Sequence, residues 1–404
     1  MTVTQPTAPT ANQIVISSDC HGGASVMEYR DHLDPQWRDE FDAWRQKYSN
    51  PFRDLQSTGK ERNWDSDFRI AEMDADGVVA EVLFPNTVPP FFPTGSLIAP
   101  PPRPDNLDRR WAGLQAHNRW LADFCAAAPA RRAGVAQIFL NDVDRAVAEV
   151  EWTAQQGLRG GILLPGVPPD AGLPNLYSRV YDPLWAACQD NDVIIHHHTG
   201  SAQPQYGKEP IGWVMFAYET SWFAHRTLWH MILGGVFERF PRLKFVVTEQ
   251  GTGWIPEVLQ SLDGLHRRMQ SGRTGEVPFA EEVVLPMKPS EYWARNCWVG
   301  SSFPSPSEVA KRHEIGVDKI MWGSDYPHHE GVWPHTREHL RRSFHDVPDD
   351  ELVKMLTTNA AEVYGFDLDA LAPLAQGVGP TLDEIHTPLD RVPDGATSMS
   401  FYLA

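Results

Sequence analysis

Acidic and imidazole side chains stand at the ends of apolar stretches in this chain, and together these residue types suggest metal chemistry. The clearest example is QIVISSDCHGG, an apolar run that ends in Asp19, Cys20 and His21. Successive side chains of an extended strand point to opposite faces, so Asp19 and His21 share one face and Cys20 points away. The pair could hold one metal ion; the alternative is a turn with a capping aspartate and an incidental histidine.

Three further apolar runs end in ionisable side chains. His198 ends DVIIHHHTG, Glu249 ends LKFVVTEQG, and Asp325 ends KIMWGSDYPH. A histidine in a strand is usually a packed core residue, and an aspartate in GSD can simply start a turn. The repeated position at four strand ends favours one shared site. Asp19, His21, His198 and Asp325 are therefore the predicted metal ligands, while Glu249 is left as a ligand, an acid or base, or the partner of an arginine.

A mixed set of carboxylate and imidazole ligands suits one divalent ion, with zinc expected and manganese or iron as alternatives. Such a metal lowers the pKa of a bound water molecule to about 7 and so supplies hydroxide at neutral pH. Asp325 is then expected to act as the base, and Glu249 as a second proton-transfer group or a substrate anchor. The first predicted function is therefore hydrolysis of a small cyclic or acyl C–N or C–O bond.

Eight short apolar segments, rich in Val, Ile and Phe, must position these side chains. Stretches with helical spacing separate most of the segments, which lie at 13–23, 78–86, 133–142, 160–166, 192–200, 243–251, 297–303 and 319–328. Apolar strands that alternate with helices predict an α/β fold, the parallel (β/α)8 TIM barrel, with its site at the carboxyl ends of the strands. A doubly wound sheet is the alternative.

Segments outside this alternation set the predicted domain boundaries. Residues 1–13 are polar and rich in Thr and Pro, and we expect a flexible N-terminal tail. Residues 14–369 form the predicted metal-dependent barrel domain, with an inserted segment after strand one from 22 to about 70. Residues 370–404 are rich in Pro, Gly and Asp, so an extended C-terminal tail is expected.

Aromatic residues follow several of the strands, and the chain holds 15 tryptophans. A tryptophan after a strand usually serves packing, but several at one rim favour a flat, apolar or aromatic substrate. Asn86, Trp254 and His328 are the predicted substrate contacts. Alternate side chains of a strand point to the same face, so if the carboxylate of Glu249 points into the barrel, Val247 and Phe245 also point inward and form an apolar column beneath it.

With these motifs, the chain resembles the amidohydrolase superfamily, and more narrowly the amidohydrolase-related family of metal-dependent hydrolases and non-oxidative decarboxylases. The resemblance spans most of residues 15–366 and rests on SSDCH, IIHHHTGSA, LGGVFERFPRLKFVVTEQGTGWIPEVLQSLD, IMWGSDYPHHEGVWP and TTNAAEVYGF. It implies a TIM barrel with the four predicted ligands around one divalent metal. Decarboxylase members usually carry a histidine before Gly-Gly at the end of strand six, where this chain reads Glu-Gln-Gly at 249–251.

Two enzymatic functions share this metal site. Hydrolysis is the first, and the alternative is non-oxidative decarboxylation of an aromatic or unsaturated carboxylic acid, in which a side chain protonates the ring carbon. A third interpretation, a non-catalytic metal-containing scaffold, is less favoured because a scaffold does not need Glu249 and His328 beside the ligands.

Composition limits the partners. The chain has 35 Lys and Arg against 53 Asp and Glu, a formal charge of -18, so nucleic acid is not expected. Its four cysteines form no CxxC pair, which argues against a disulfide framework or a zinc ribbon. No run approaches the roughly 18 apolar residues of a membrane span. We expect a cytoplasmic enzyme with a small-molecule substrate and no membrane partner, and the resemblance implies a homodimer.

Overall fold

The fold is a barrel of eight parallel strands in a computed structural model that describes residues 11–48 and 60–403. The strands follow one another around the sheet in chain order. They are β1 Ile16–Gly22, β2 Ala80–Pro85, β3 Arg132–Gln137, β4 Gly161–Leu163, β5 Ile195–His198, β6 Phe245–Thr248, β7 Cys297–Ser302 and β8 Ile320–Gly323. Each of the eight predicted segments overlaps one of these strands, and the predicted TIM barrel is confirmed.

Backbone hydrogen bonds tie the end of β8 to β1 and so bring the last strand against the first. The N–H of Asp325 donates to the carbonyl of Asp19 at 2.9 Å, and the N–H of His21 donates to the carbonyl of Tyr326 at 2.7 Å. These bonds fix two predicted ligands of β1 next to the predicted ligand that follows β8.

Helices connect the strands and cover the outside of the barrel. The longer ones span Arg38–Lys47, Ser66–Asp76, Leu107–Ala126, Val143–Gln155, Asp182–Asp190, Pro210–Leu233, Ile255–Gln270, Pro289–Asn296, Thr336–Ser343 and Leu368–Val378. Shorter helical segments lie at Tyr29–His32, Val236–Arg239, Pro306–Ala310, Arg312–Ile315, Asp349–Val353, Asn359–Tyr364 and Leu382–Ile385. An antiparallel pair of two-residue strands joins Arg273–Thr274 to Val277–Pro278.

Local sequence explains where several helices begin and end. Asp65 accepts hydrogen bonds from the N–H groups of residues 67 and 68 and so caps the helix Ser66–Asp76. Gly77 ends the same helix with φ 91°, a left-handed conformation that glycine adopts without strain. Asp142 caps the helix Val143–Gln155 in the same way as Asp65.

Apolar side chains pack in separate clusters inside the barrel and between the strands and helices. Val246 lies in the cluster that contains Ile16, whereas Phe245 and Val247 pack in the larger cluster with residues of the surrounding helices. The predicted inward column of Val247 and Phe245 is therefore wrong. Glu249 has a left-handed backbone with φ 52°, so the parity of β6 does not extend to its side chain.

The first described residues of the chain contact the C-terminal segment. Residues 1–10, most of the predicted N-terminal tail, lie outside the described residues, but the N–H of Gln13 donates to the carbonyl of Pro380 at 2.8 Å. The C-terminal segment from 370 onward, predicted to be extended, begins inside the helix Leu368–Val378 and includes Leu382–Ile385. In the part of the chain that the structure describes, no helix has the length and apolar character needed to cross a membrane.

Candidate active site

The four predicted ligands come together at the carboxyl ends of β1, β5 and β8. Asp19 and His21 belong to β1, His198 is the last residue of β5, and Asp325 lies two residues after β8. All four side chains are buried. This is the end of a TIM barrel at which enzymes of this fold carry out their chemistry.

Polar atoms of these side chains converge at short distances. The Nε2 of His21 lies 3.2 Å from Oδ1 of Asp19 and 3.2 Å from Oδ1 of Asp325, and the Nε2 of His198 lies 3.5 Å from Oδ1 of Asp19. Within the described residues, none of these four atoms has a partner in hydrogen-bond geometry. Buried polar atoms without hydrogen bonds are costly, and a shared cation would satisfy all of them, so the donor set fits a divalent metal.

Two further side chains enlarge this group into two overlapping sets of potential ligands. Within each set, one ligand atom from every residue lies within 4.8 Å of the others. The first set is Asp19, His21, His198 and Glu249. The second set is His21, Glu249, Asp325 and His328. Glu249 is common to both sets, so the geometry leaves its role open between ligand and proton-transfer group.

Backbone conformation aims two of the carboxylates into the site. Glu249 and Asp325 have φ angles of 52° and 59°, in the left-handed region that side chains other than glycine rarely adopt. Such strain is concentrated at functional sites, where the surrounding structure holds it. This feature could not be predicted from the sequence, because neither residue type by itself indicates a positive φ.

Electrostatic interactions keep two carboxylates ionised despite burial. Burial alone would raise the pKa of Asp19, but the imidazoles of His198 and His21 outweigh it and hold that pKa below its ordinary value. The same competition lowers the pKa of Asp325, where His328 and His21 oppose the effect of burial. Negatively charged oxygens at these two positions suit metal ligation.

The third carboxylate differs. Burial, reinforced by the negative charges of Asp325 and Asp19, raises the pKa of Glu249 well above its ordinary value. Its Oε2 lies 3.0 Å from the Nε2 of His198, and its side chain is 16% exposed. Glu249 is therefore the carboxyl group of the cluster with most access to solvent and most tendency to hold a proton.

Hydrogen bonds from outside the cluster orient the ligands. The hydroxyl of Ser302 donates to Oδ2 of Asp19, and the Nδ1 of His198 lies 3.0 Å from the carbonyl oxygen of Thr199. The His198 contact fits a tautomer that leaves Nε2 free to face the cluster. Ser302 could not be identified from the sequence, because its contact with Asp19 depends on how β7 lies relative to β1 in the barrel.

A buried arginine supports the backbone beneath the cluster. Nη1 of Arg69 donates to the carbonyl of His21 at 2.8 Å, and the same guanidinium pairs with Glu81 at 2.6 Å. The Arg69 guanidinium also lies over the ring of Tyr326, 4.6 Å from its centroid. Arg69 therefore connects the ligand end of β1 to the residue after Asp325.

Two adjoining cavities open beside the cluster. The inner cavity, of about 470 Å³, is lined by His198, Glu249 and Ser302, and the outer cavity, of about 700 Å³, by Asn86 and others. Residues that line both are Leu97, Ile98, Phe216, His328 and Glu330. Together the cavities have the size of a small-molecule site.

The predicted substrate contacts differ in their positions. His328 lines both cavities; its Nδ1 lies 2.7 Å from Oδ1 of Asp325, and its Nε2 lies 3.2 Å from Oδ1 of Asn86. Trp254 is not among the described residues that line either cavity, and its ring stacks on His225 at a centroid distance of 3.8 Å.

A TIM barrel with a buried carboxylate and imidazole cluster at the ends of its strands is the architecture of a metal-dependent enzyme. Residues 59–366 match the model of the amidohydrolase family, and the chain belongs to this family.

Two proteins that this chain is similar to are decarboxylases. The chain is 26% identical over 269 residues to the gamma-resorcylate decarboxylase of Rhodococcus jostii, a match that covers 62% of this chain and 75% of that protein. It is 27% identical over 314 residues to the 2-amino-3-carboxymuconate-6-semialdehyde decarboxylase of Dictyostelium discoideum, covering 75% and 77% of the two chains.

A solved structure shares the fold. The 5-carboxyvanillate decarboxylase of Novosphingobium aromaticivorans, with bound manganese and 3-methoxy-4-hydroxy-5-nitrobenzoic acid, superposes with a TM-score of 0.63 at 19% identity. The match covers 90% of this chain and 100% of that one.

These comparisons overturn the first predicted function. The prediction of C–N or C–O bond hydrolysis is wrong, because the relatives are decarboxylases. The physical reason for the error is that both reactions use the same kind of metal site, so the ligand residues alone do not separate them. The prediction of an amidohydrolase-superfamily enzyme, hydrolase or carboxy-lyase, is confirmed.

Proposed function

We propose that this protein catalyses the non-oxidative decarboxylation of a small aromatic or unsaturated carboxylic acid. The observation that carries this proposal is the similarity to two decarboxylases, one over 62% and one over 75% of the chain. The cavities beside the cluster support it, since they join an apolar wall to the ionisable side chains of His198 and Glu249.

We propose Asp19, His21, His198 and Asp325 as the ligands of one divalent cation, either manganese or zinc. Their convergent buried atoms without hydrogen bonds support this assignment. The manganese in the Novosphingobium enzyme supports the choice of a divalent ion of this kind. When bound, the cation would supply a positive charge that anchors an anionic substrate.

The reaction needs a proton donor. The bond between the ring carbon and the carboxylate breaks, CO2 leaves, and the electron pair that remains on the carbon takes up a proton. Glu249 is the proposed donor, because its carboxyl group lines the inner cavity and lies 3.0 Å from His198. Asp325 is proposed to orient the imidazole of His328, 2.7 Å away, toward the substrate.

The rest of the inner cavity is suited to a flat ring. One wall of this cavity is apolar and consists of Leu97, Ile98 and Phe216. An aromatic substrate would pack on this wall and exclude water from it. We propose that Asn86 and His328 make the polar contacts with the ring substituents. Both side chains line the outer cavity.

The direct test is release of CO2 from a panel of hydroxy- and aminobenzoic acids and unsaturated carboxylic acids. Protein reconstituted with manganese or zinc is compared with the Asp325→Asn variant treated in the same way. We expect CO2 from at least one acid, dependent on added metal and greatly reduced in the variant. A failure of every acid with both metals would overturn the proposed function.

The homodimer, the cytoplasmic location and the absence of nucleic-acid and membrane partners stay predictions.

A further inference from the structure

The C-terminal segment reaches the outer cavity, although it lies outside the part of the chain that matches the family model. That match ends at residue 366. Gly395 and Thr397 line the outer cavity together with His328 and Glu330. The hydroxyl of Thr397 donates to the carbonyl of His329. We call Gly395 and Thr397 the tail wall.

Contacts on both sides hold the tail wall in place. Before it, the Nε of Arg341 donates to the carbonyl of Thr387 at 2.8 Å. After it, Phe401 is only 2% exposed and packs against the ring of His339 at a centroid distance of 6.1 Å. Gly395 has φ 86°, which permits the turn between these anchors. The tail wall is thus a fixed part of the cavity surface.

The two cavities together exceed what one ring requires. A site for a drug-sized ligand occupies roughly 300–1,000 Å³, and the inner cavity of about 470 Å³ already lies in this range, so an aromatic acid with its ring beside Glu249 leaves most of the outer cavity free. The outer cavity extends to Thr397 and is lined by Phe216 and by Trp333, whose ring centroid lies 4.4 Å from the guanidinium of Arg62. The apolar part of this lining suits a second ring.

From this arrangement we infer that the tail wall determines substrate specificity, and that the enzyme accepts aromatic acids that carry a ring-sized substituent. The reacting ring lies in the inner cavity and the substituent in the outer cavity, against Thr397. The inference rests on the proposed function for the choice of an aromatic acid, but it concerns only the substituent of that acid. A binding experiment can therefore test it without measuring decarboxylation.

The experiment measures binding of 2-hydroxybenzoate and of its 4-phenyl and 5-phenyl derivatives to the manganese-loaded full chain by calorimetry. Thr397→Trp narrows the outer cavity and should weaken binding of a phenyl derivative about tenfold, with little effect on 2-hydroxybenzoate. Thr397→Ser keeps the hydroxyl and should behave as the wild type. Thr387→Trp is the matched control, since Thr387 is an exposed tail threonine whose hydroxyl bonds to the carbonyl of Asp383.

Two results would overturn the inference. One is a wild-type protein that binds neither phenyl derivative. The other is a Thr397→Trp variant that loses affinity for all three acids equally, or no more than Thr387→Trp does. CO2 release measured on the same three acids tests the proposed function separately. If the acids bind with the predicted pattern but release no CO2, the role of the tail wall is supported and decarboxylation is contradicted.

Discussion

Glu249 is the residue that distinguishes the possible mechanisms, because it touches the proposed ligands and also lines the inner cavity. Glu249→Gln keeps the shape of the side chain but removes its ability to transfer a proton. We expect turnover to fall about 10²-fold or more while bound metal stays near the wild-type level, as measured by steady-state kinetics and elemental analysis. Glu257→Gln, at a side chain that is 83% exposed and is not among the described residues lining either cavity, is the control and should change turnover little.

The Glu249→Gln variant can contradict the assignment in two ways. Loss of metal would make Glu249 a ligand and the proposed set of four incomplete. Full activity with full metal content would make the residue structural.

His21 has a different role, since its Nε2 lies 3.2 Å from carboxylate oxygens on both sides. His21→Ala removes a proposed ligand atom and should abolish most metal binding, measured by elemental analysis after dialysis. His197→Gln is the control, because His197 is equally buried but directs Nδ1 to the carbonyl of Leu164 at 3.0 Å. Equal metal loss in the two variants would contradict the ligand assignment.

For the single residues of the cluster, the sequence predicted which residues come together better than it predicted their backbone geometry. Asp19, His21, His198 and Asp325 could be found because each ends an apolar run, and parallel strands place such ends together. The left-handed backbone of Glu249 could not be found, because it depends on the turn after β6 and not on residue type. The reaction class was missed for a chemical reason, since one ligand set serves hydrolysis and decarboxylation alike.

The connection between the helix Ser66–Asp76 and the strands is the critical contact between elements. Arg69 of this helix and Glu81 of β2 form an ion pair with both side chains fully buried. Arg69→Met leaves a buried carboxylate without its main partner and should lower the free energy of unfolding by about 3 kcal/mol, measured by urea denaturation. Arg103→Met removes an ion pair that is largely exposed to solvent and should leave stability unchanged.

Similar losses in Arg69→Met and Arg103→Met would show that the buried pair is not a main support of the barrel. The sequence could not have predicted this pair. Arg69 lies in the segment after β1 that was predicted only as an insertion, and the pattern of that segment does not indicate which strand its helix contacts. The strands themselves were predictable, because each is a short apolar run bounded by polar or glycine-containing turns.

The whole molecule should lose stability in mild acid, because several histidines are buried in the neutral form. Burial lowers the pKa of His339 to about 4 and that of His117 to about 3. His339 is held by contacts that suit a neutral ring: its Nδ1 accepts a hydrogen bond from the indole N–H of Trp322, and its Nε2 lies 3.1 Å from the carbonyl of Pro304. Protonation of Nδ1 would break the first of these.

The sign of the pH effect follows from the lowered pKa. The unfolded chain binds a proton at each histidine near pH 6.5, whereas the folded chain does not, so stability is complete above pH 6.5 and declines as the pH falls toward 4. We expect urea denaturation at pH 7.5, 6.5 and 5.5 to show this decline, with a smaller slope for His339→Gln. His313→Gln, at a side chain 62% exposed, should keep the wild-type slope. A pH-independent stability over this range would contradict the prediction.

The path of the C-terminal segment also depends on the whole molecule and could not be predicted from the sequence. Its residues have no helical or strand periodicity after 386, and the contact of Thr397 with His329 joins positions far apart in the chain. Only the complete fold shows that this segment reaches the outer cavity.

The central claim, non-oxidative decarboxylation, is tested most directly by isotope analysis of the products. Metal-loaded protein is incubated in D2O with hydroxybenzoic acids that carry ¹³C in the carboxyl group, and both products are analysed by mass spectrometry, with oxygen consumption recorded. We predict labelled CO2, an equal amount of the phenol with one deuterium on the carbon that bore the carboxyl group, and no consumption of oxygen. Absence of labelled CO2 from every acid, or its release only with consumption of oxygen, would contradict the account.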